Sequence, residues 1–354
     1  LKNFRNYELL NLTFHPVTNI FHGDNAQGKT NILEAVYLAG TTKSHRGTKD
    51  RDMISFGEEE SHIEVKVLKN GVPFRIDIHL KKNSPKGAAI NRMPVKRASE
   101  LFGIINLVFF SPEDLNIIKN GPAQRRRFMD LELSQLDKIY LNNLADYNRV
   151  VNQRNRLLKE MAFQEKLKDT LEIWDMQLVR YGERVMEGRK KFLREINEIV
   201  GDIHGKLTGG RERLVMEYEP STGELSLEEA VRRNRERDIR MKSTSAGPHR
   251  DDICFKIKDM DIRKFGSQGQ QRTAALSLKL AEIEIVKRVI HDTPVLLLDD
   301  VLSELDKHRQ NYLLDSIHDI QTLITCTGVE EFVNHRFSIN KVFLVQNGQV
   351  TNEN

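Results

Sequence analysis

Apolar and polar positions follow a recognisable order near the start of the chain. A short apolar stretch, Ile20-Phe21, precedes a polar loop, and apolar residues then recur at helical spacing between residues 33 and 37. Gly40 stands where this helix would end, as a C-cap. A further strand is predicted upstream, around residues 10–14. The pattern therefore predicts a strand, a loop and a helix, with another strand before them.

The next segment has the period of a β-sheet. Apolar and polar residues alternate between residues 62 and 80, and Asn70-Gly71 in the middle suits a tight turn that needs positive φ. We predict a β-hairpin here, a loop over residues 85–89, and a buried strand within the apolar run 104–110.

Helical periodicity dominates residues 111–240. Over residues 171–185, apolar side chains recur at three- and four-residue steps, and we interpret this stripe, Trp174 included, as core packing. No heptad persists long enough to predict an extended coiled coil. The prediction is a mostly helical lobe, residues 111–240, inserted into a domain formed by residues 1–110 and 241–354.

The remaining elements follow from apolar runs and turn signals. They are strands at 253–257, 294–298 and 323–325, a long helix at 273–290 and a hairpin around Asn347-Gly348. Together with the first segment they predict an α/β fold that carries a helical insertion.

Composition places the chain among ordinary globular proteins. Its 354 residues are enough for two to three lobes, and no apolar run approaches the length of a membrane span. The first residues show no charged-then-apolar leader pattern, and because the chain starts at Leu1 rather than Met we expect a few N-terminal residues to be missing. The two cysteines, Cys254 and Cys326, match no metal spacing, so we expect a cytoplasmic protein with reduced thiols.

The net charge is only +4, but the basic residues are clustered. One cluster is Arg125, Arg126 and Arg127, a second is Arg189, Lys190 and Lys191, and a third occupies residues 232–242. Such clusters can bind a phosphate backbone, and we take the first two as candidate DNA contacts. The alternative is that each cluster is a solvated helix face.

The polar loop after the first apolar stretch carries the strongest chemical signal. It reads Gly23-Asp24-Asn25-Ala26-Gln27-Gly28-Lys29-Thr30, a complete match to G-x-x-x-x-G-K-[ST]. Glycines let backbone N–H groups point at phosphate oxygens, while Lys29 is expected to reach the β- and γ-phosphates and Thr30 to bind Mg²⁺. Because a strand precedes the loop and a helix follows it, the motif predicts a nucleotide-binding site.

Two stretches in the second half complete this chemistry. The strand at 294–298 leads into Asp299 and Asp300, which we assign to Mg²⁺ and to the attacking water; capping of the strand end is the alternative. Ser267 and Gly269 lie just before the long predicted helix, where an anion can bind. Since one loop suffices for the chain's own triphosphate, we expect this second site to receive a phosphate held by another subunit.

Other polar residues keep more than one interpretation. Arg46, in a basic loop, could neutralise γ-phosphate charge or simply be solvated. Tyr7 or Arg5 could stack on a nucleotide base or pack a strand edge. His249 has no partner at metal spacing, so we interpret its turn as structural first.

These motifs, in this order, resemble the Walker A, signature and Walker B motifs of ABC-type ATPases, specifically of their SMC-like branch. Ser303-Glu304-Leu305-Asp306 matches the D-loop that follows. Within this branch the chain resembles the RecF family of recombination mediators over nearly its full length. The segments that carry this resemblance are residues 3–7, 110–115, 125–128, 247–252 and 268–272.

The resemblance implies a homodimer closed by ATP, in which Ser267 and Gly269 contact the partner's γ-phosphate. It also implies weak, DNA-dependent ATP hydrolysis, with Lys29, Asp299 and Asp300 at the reaction site. The implied partners are single-stranded, duplex or junction DNA, together with RecO and RecR, which act with such proteins to load RecA onto gapped single-stranded DNA. We expect no membrane partner.

Two departures from general ABC-type patterns imply slow hydrolysis and a switch rather than a motor. Asp300 stands where most such ATPases have glutamate, and residues 324–327 lack the histidine found after this strand in transporters. One alternative is the nucleotide-binding subunit of an ABC transporter, against which the helical insertion and basic clusters argue. Another is a binding module with a vestigial ATP site, against which the intact Lys29, Thr30 and Asp299 argue.

Overall fold

The computed structural model describes residues 1–161, 169–328 and 339–353. Contacts divide the chain into two compact units, Leu1–Asp114 with Glu282–Asn354, and Leu115–Ala281. Residues 241–281 therefore belong to the second unit, whereas the prediction placed them with residues 1–110. The reason is a strand at Leu214–Glu219, inside the stretch predicted to be helical, which pairs along its whole length with the strand at Asp252–Ile257.

The first unit is built around a largely parallel sheet. In spatial order its strands are β15 (Gln349–Asn352), β14 (Lys341–Gln346), β3 (Thr18–His22), β13 (Thr322–Cys326), β12 (Val295–Asp299) and β8 (Leu107–Phe110). Among the described strands of this sheet, β14 and β15 pair antiparallel and the other neighbours pair parallel. Because parallel strands end at the same edge, β3, β12 and β13 bring the residues that follow them together.

A second, antiparallel sheet completes the first unit. Its strands are, in order, β2 (Tyr7–Leu9), β1 (Lys2–Phe4), β4 (Glu60–Lys69), β5 (Val72–Lys81), β6 (Ser84–Ile90) and β7 (Met93–Pro94). The predicted hairpin is confirmed as β4 and β5, and both turn residues have positive φ, 49° at Asn70 and 75° at Gly71. The loop predicted over residues 85–89 is wrong, because these residues lie within β6, and residues 87–89 pair with β5.

The described helices of the first unit are α1 (Lys29–Thr41), the end of α7 (Gln268–Ile290) and α8 (Lys307–Ser316). Short 3₁₀ turns lie at Asp50–Met53, Ala98–Leu101 and Leu302–Glu304, and a further one, Pro112–Asn116, crosses the boundary to the second unit. The strand predicted around residues 10–14 is not formed; the paired strands β1 and β2 come before it. Gly40 is not a cap but lies inside α1, where a Cβ atom would come within 2.5 Å of Leu107 Cδ1. A side chain at this position would force the buried Leu107 side chain of β8 to move.

The second unit is mostly helical, as predicted. Its helices are α2 (Pro122–Leu136), α3 (Lys138–Glu160), α4 (Leu171–Leu207), α5 (Leu227–Met241), α6 (Ile262–Phe265) and the start of α7 (Gln268–Ile290), with a 3₁₀ turn at Pro248–Arg250. A three-stranded sheet has the order β11 (Met260–Asp261), β10 (Asp252–Ile257) and β9 (Leu214–Glu219). Leu171, Leu178 and Val185 are fully buried, and Trp174 packs against the cluster that contains Leu171, so the apolar stripe is confirmed as core.

Candidate nucleotide-binding site

The glycine-rich loop lies between β3 and α1, as its motif requires. Lys29 Nζ donates to the carbonyl oxygens of Gly23, at 2.5 Å, and Asp24, at 2.8 Å. These bonds hold the ammonium group within the loop, beside the N-terminus of α1. A positive side chain, backbone N–H groups and a helix N-terminus at one place form a site for phosphate groups.

Two glycines of the loop are required by close contacts. Gly28 has φ 114°, and a Cβ atom there would lie 2.4 Å from Asn6 Nδ2 and 2.9 Å from the Tyr7 hydroxyl. At Gly23, with φ 141°, a Cβ atom would lie 2.3 Å from the Val345 carbonyl oxygen. Any side chain at either position would therefore displace the loop from its supports.

Asn6 and Tyr7 support the glycine-rich loop through hydrogen bonds to its carbonyl oxygens, a role that the sequence did not predict. Asn6 Nδ2 donates to Gln27 O at 2.9 Å, and the Tyr7 hydroxyl donates to Gly28 O at 3.1 Å. Tyr7 is fully buried, and burial raises the pKa of its phenol above the usual value. The suggestion that Tyr7 stacks on a nucleotide base is therefore wrong. The resemblance had marked residues 3–7, but nothing in the sequence indicated the loop carbonyls as their partners.

The C-terminal hairpin provides a further support. Asn347 N donates to Gln27 Oε1 at 2.6 Å, and Gly348 N donates to Gln27 O at 3.3 Å. The turn predicted around Asn347-Gly348 thus has a contact with the site that its pattern alone could not indicate.

Arg5 is committed to an ion pair with Glu34. Arg5 Nε lies 2.8 Å from Glu34 Oε2, and Ser44 Oγ donates to Glu34 Oε1 at 2.5 Å. Burial opposes ionisation of Glu34, but the hydrogen bonds from Arg5 and Ser44 and the charge of Arg5 prevail and lower its pKa. Arg5 is thus held away from a base-stacking role. Arg46 is exposed, and its Nη1 lies 3.4 Å from Oδ1 of Asn31 in the first turn of α1.

The candidate magnesium ligands lie side by side. Thr30 Oγ1 and Thr325 Oγ1 each donate to Asp299 Oδ1 at 2.7 Å. Within the described residues no group of three or more His, Cys, Asp or Glu side chains could hold a metal ion. One hydroxyl and one carboxylate nevertheless fit Mg²⁺, which takes few protein oxygens and completes its shell with water and phosphate. Thr30 and Asp299 would hold the ion.

Asp300 lies next to this pair in a strained backbone conformation. Its φ is 53°, and its N–H donates to the carbonyl and hydroxyl oxygens of Thr325. Burial raises the pKa of its carboxyl group, the charge of Asp299 adds to the rise, and Lys29 opposes it. A carboxylate whose pKa is raised accepts a proton more readily, as activation of water requires.

Ser267 and Gly269, the predicted signature residues, lie in the second unit and are exposed. Ser267 N donates to Gln270 Oε1 at 3.0 Å, and Gln270 N donates to Ser267 Oγ at 3.2 Å. This reciprocal pairing is a capping box, which starts α7 at Gln268 rather than at Thr273 as predicted. The structure thus brings Lys29, Thr30, Asp299 and Asp300 together in one unit and places the signature residues in the other.

Two of the predicted DNA contacts are buried. Nε and Nη2 of Arg125 donate to the two carboxylate oxygens of Asp252, at 2.7 and 2.9 Å. Arg189 donates to Asp130 at 2.7 Å and to Pro248 O at 2.6 Å. Because Arg125 is 4% and Arg189 1% exposed, assigning them to DNA is wrong. Both arginines join elements of the second unit.

The other members of these two clusters remain accessible to different degrees. Arg126 is half-buried and donates to Asp251 O, and burial, reinforced by the charge of Arg189, lowers its pKa. Arg127, Lys190 and Lys191 are exposed.

His249 is structural, as first interpreted. Its Nδ1 lies 2.6 Å from the Tyr147 hydroxyl and its Nε2 lies 3.1 Å from Thr244 O. Burial lowers its pKa, so the imidazole is neutral at pH 7.

Comparison with known proteins shows the family of this chain. The family described as RecF/RecN/SMC N terminal domain matches residues 1–351. A protein of Lachnospira eligens named DNA replication and repair protein RecF is 64% identical over 100% of this chain and 98% of its own length. This chain belongs to the RecF family. A RecF of Agathobacter rectalis is 63% identical over 99% of this chain and 97% of its own length.

Solved structures support the assignment of this RecF-family chain. A structure titled as the recombination mediator RecF with ATP in the RecFOR pathway has a TM-score of 0.93 and 35% identity, covering 100% of this chain and 96% of that one. An Smc head domain of Pyrococcus furiosus has a TM-score of 0.58 and 16% identity, over 99% of this chain and 94% of that one, which shows the shared fold. The predicted SMC-like ATPase fold is confirmed. The transporter alternative has no support from these relatives, and no helix in the described part of the chain is long and apolar enough to span a bilayer.

Proposed function

We propose that this chain is an ATP-dependent DNA-binding protein of recombinational repair and replication, and that ATP closes a homodimer which slow hydrolysis reopens. The observation that carries the proposal is that the nucleotide-binding residues and the signature residues belong to different units of the chain. Lys29, Thr30 and the two aspartates converge in one unit, while Ser267 remains exposed at the start of α7 in the other. A partner's exposed signature residues are then available to complete each nucleotide site.

The side chains divide the work of the reaction. Lys29 would bind phosphate oxygens, Asp300 would accept a proton from the attacking water, and Ser267 would donate to the γ-phosphate bound by the partner. Mg²⁺, when bound, would neutralise charge that develops on the phosphates. ADP lacks the group that Ser267 recognises, so ATP and ADP would differ in their affinity for the closed dimer.

The partners follow from what the relatives are named for. The similar solved structures are titled as recombination mediators of the RecFOR pathway. We therefore propose that RecO and RecR act with this chain, that it helps load RecA onto gapped single-stranded DNA in the cytoplasm, and that DNA stimulates its weak ATPase activity. Contacts to phosphates would carry no base sequence preference.

The decisive experiment measures molar mass in solution with ATP, with ADP and without nucleotide. We expect dimers with ATP only. Lys29→Met should weaken ATP binding at least tenfold, because a charged hydrogen-bond donor to phosphate is lost. Ser267→Arg should leave ATP binding intact but prevent dimerisation, because a large charged side chain would meet the partner's nucleotide.

Ser316→Arg serves as the control for the serine variant. Ser316 is an exposed residue at the end of α8, outside the motifs, so its replacement should leave the ATP-driven dimer unchanged. If the molar mass of the parent protein is the same with ATP, with ADP and without nucleotide, the two-site mechanism is refuted.

Among the three basic clusters, we propose the one on α5 as the principal DNA contact. Arg233, Arg237 and Arg240 are exposed and lie at i, i+4 and i+7, on one face of the helix over about 10 Å. Like charges at this spacing repel one another, and a phosphate backbone would relieve that repulsion. By contrast, the first two clusters each lose an arginine to a buried ion pair.

Replacing Arg233, Arg237 and Arg240 by alanine should therefore weaken DNA binding. We expect the slope of log affinity against log salt to fall by about two to three units, because each phosphate contact contributes about 0.9 on duplex DNA. Replacing the exposed pair Lys190 and Lys191 provides the comparison. A large loss in the lysine variant, with none in the arginine variant, would move the DNA contact to α4.

A further inference from the structure

Glu212 connects the turn after α4 to the signature loop, residues 267–271. Gln270 Nε2 donates to Glu212 Oε1 at 2.8 Å. Gly209 and Gly210, with φ of 62° and 77°, turn the chain after α4, and Glu212 N donates to Thr208 Oγ1 at 3.3 Å. The turn therefore fixes the backbone position from which the Glu212 side chain extends.

Gln270 passes this restraint to Ser267. The side-chain oxygen of Gln270 accepts from Ser267 N, while the backbone N–H of Gln270 donates to Ser267 Oγ. Since the Ser267 oxygen accepts that bond, its own proton is left to donate to a ligand. The Gln270 side chain therefore fixes the Ser267 backbone, and with it the place of the hydroxyl oxygen that the Gln270 backbone N–H contacts.

A buried histidine lies close to the other oxygen of Glu212. The side chain of His204 is fully buried; its Nε2 lies 3.5 Å from Glu212 Oε2, and its Nδ1 lies 3.0 Å from Ser277 Oγ on α7. Burial lowers the pKa of His204, against the effect of Glu212. Glu212 is thus hydrogen-bonded to Gln270 on α7, and the buried His204 of α4 lies beside its second oxygen.

We propose that Glu212 is a positioning residue for the signature loop: it fixes Gln270, and through Gln270 it fixes the Ser267 hydroxyl that would meet the partner's γ-phosphate. The inference rests on the proposed function for its consequence in the dimer, but the positioning itself can be measured without nucleotide. Glu217 offers a matched control, since it lies on β9, binds Lys256 at 2.7 Å and has no place in this chain of contacts.

Hydrogen exchange in the nucleotide-free protein tests the positioning directly. Glu212→Ala should speed exchange of the amides of Ser267 and Gln270 by about tenfold, because a charge-assisted hydrogen bond is lost. Glu217→Ala should leave them unchanged, and Glu212→Gln, which keeps an acceptor oxygen, should stay within about threefold of the parent. Equal exchange in the two alanine variants would overturn the inference. So would acceleration throughout the second unit that Glu212→Gln does not correct, since that indicates a general structural role.

ATP-driven dimerisation tests the consequence. Glu212→Ala should raise the protein concentration needed for dimers about fivefold, while the affinity of the monomer for a fluorescent ATP analogue stays within twofold. The double variant Glu212→Ala with Gln270→Ala should need the same protein concentration for dimers as Gln270→Ala alone, because both changes break the same connection. Additive effects would overturn the inference, whereas a parent protein that never dimerises would overturn the proposed function and leave the exchange result standing.

Discussion

Asp300→Asn should bind ATP and dimerise like the parent protein, but hydrolyse ATP at least about 100-fold more slowly. The amide keeps the shape of the side chain and cannot accept a proton from water, and a general base contributes about 10²–10⁴-fold. The measurement is phosphate release under saturating ATP, together with the lifetime of the dimer. The ATP-bound dimer should persist far longer than in the parent.

The pH profile provides an independent check on Asp300. Because burial raises the pKa of this carboxyl group in the folded protein, it takes up its proton at a higher pH than an ordinary aspartate. Hydrolysis should therefore decline, as pH falls, from a higher pH than the usual aspartate value of 3.8. The same pH dependence should be missing from the residual activity of Asp300→Asn.

Glu304→Gln is the matched control, since it removes a nearby negative charge that also raises the pKa of Asp300. Its hydrolysis rate should stay within a few-fold of the parent, and the decline of hydrolysis on acidification should begin at a slightly lower pH. If Asp300→Asn hydrolyses ATP within threefold of the parent, another group activates the water.

Arg154→Ala should destabilise the second unit by about 3–5 kcal/mol, the usual cost of stranding one partner of a buried ion pair. Arg154 is fully buried; its Nη1 binds Asp238 at 2.8 Å and Thr244 at 2.9 Å, and its Nε binds Asp175 at 2.7 Å. Because Asp238 is 1% exposed, removal of Arg154 would leave the Asp238 carboxylate buried without this cation. Urea unfolding followed by helical circular dichroism measures the loss.

Arg156→Ala provides the control two residues further along α3. Arg156 is exposed and pairs with Glu160 on the same helix, a contact worth about 0.3–0.5 kcal/mol. Adding Asp238→Asn to Arg154→Ala should recover part of the loss, because the stranded charge is removed. A loss below about 1 kcal/mol for Arg154→Ala would show that the pair is not a major source of stability.

Local patterns predicted the parts of this structure that depend on neighbours in sequence. The loop at residues 23–30, the hairpin at Asn70-Gly71 and the helical stripe after Leu171 each follow from spacing alone. The strand β9 was missed because six residues inside a long helical stretch are too few to change its period, although Gly209-Gly210 marks the break.

Patterns failed where a distant residue decides the outcome. Arg125 and Arg189 look like solvated charges in the sequence, yet Asp252 and Asp130 make their burial possible, and both partnerships span more than fifty residues. Tyr7 was missed as a support for the same reason, since its partner, Gly28 O, is identified only by the fold.

The supports of the nucleotide loop also set an order for biosynthesis. Asn6 and Tyr7 are synthesised before the loop, whereas Asn347 and Gly348, which contact Gln27 from another segment, are synthesised about three hundred residues after it. Parallel pairing of β3 with β13 and β14 likewise joins residues more than three hundred positions apart. A nascent chain can therefore carry its complete Walker A sequence before the loop has its final conformation, so ATP binding would indicate that synthesis and folding have reached the hairpin at Asn347-Gly348.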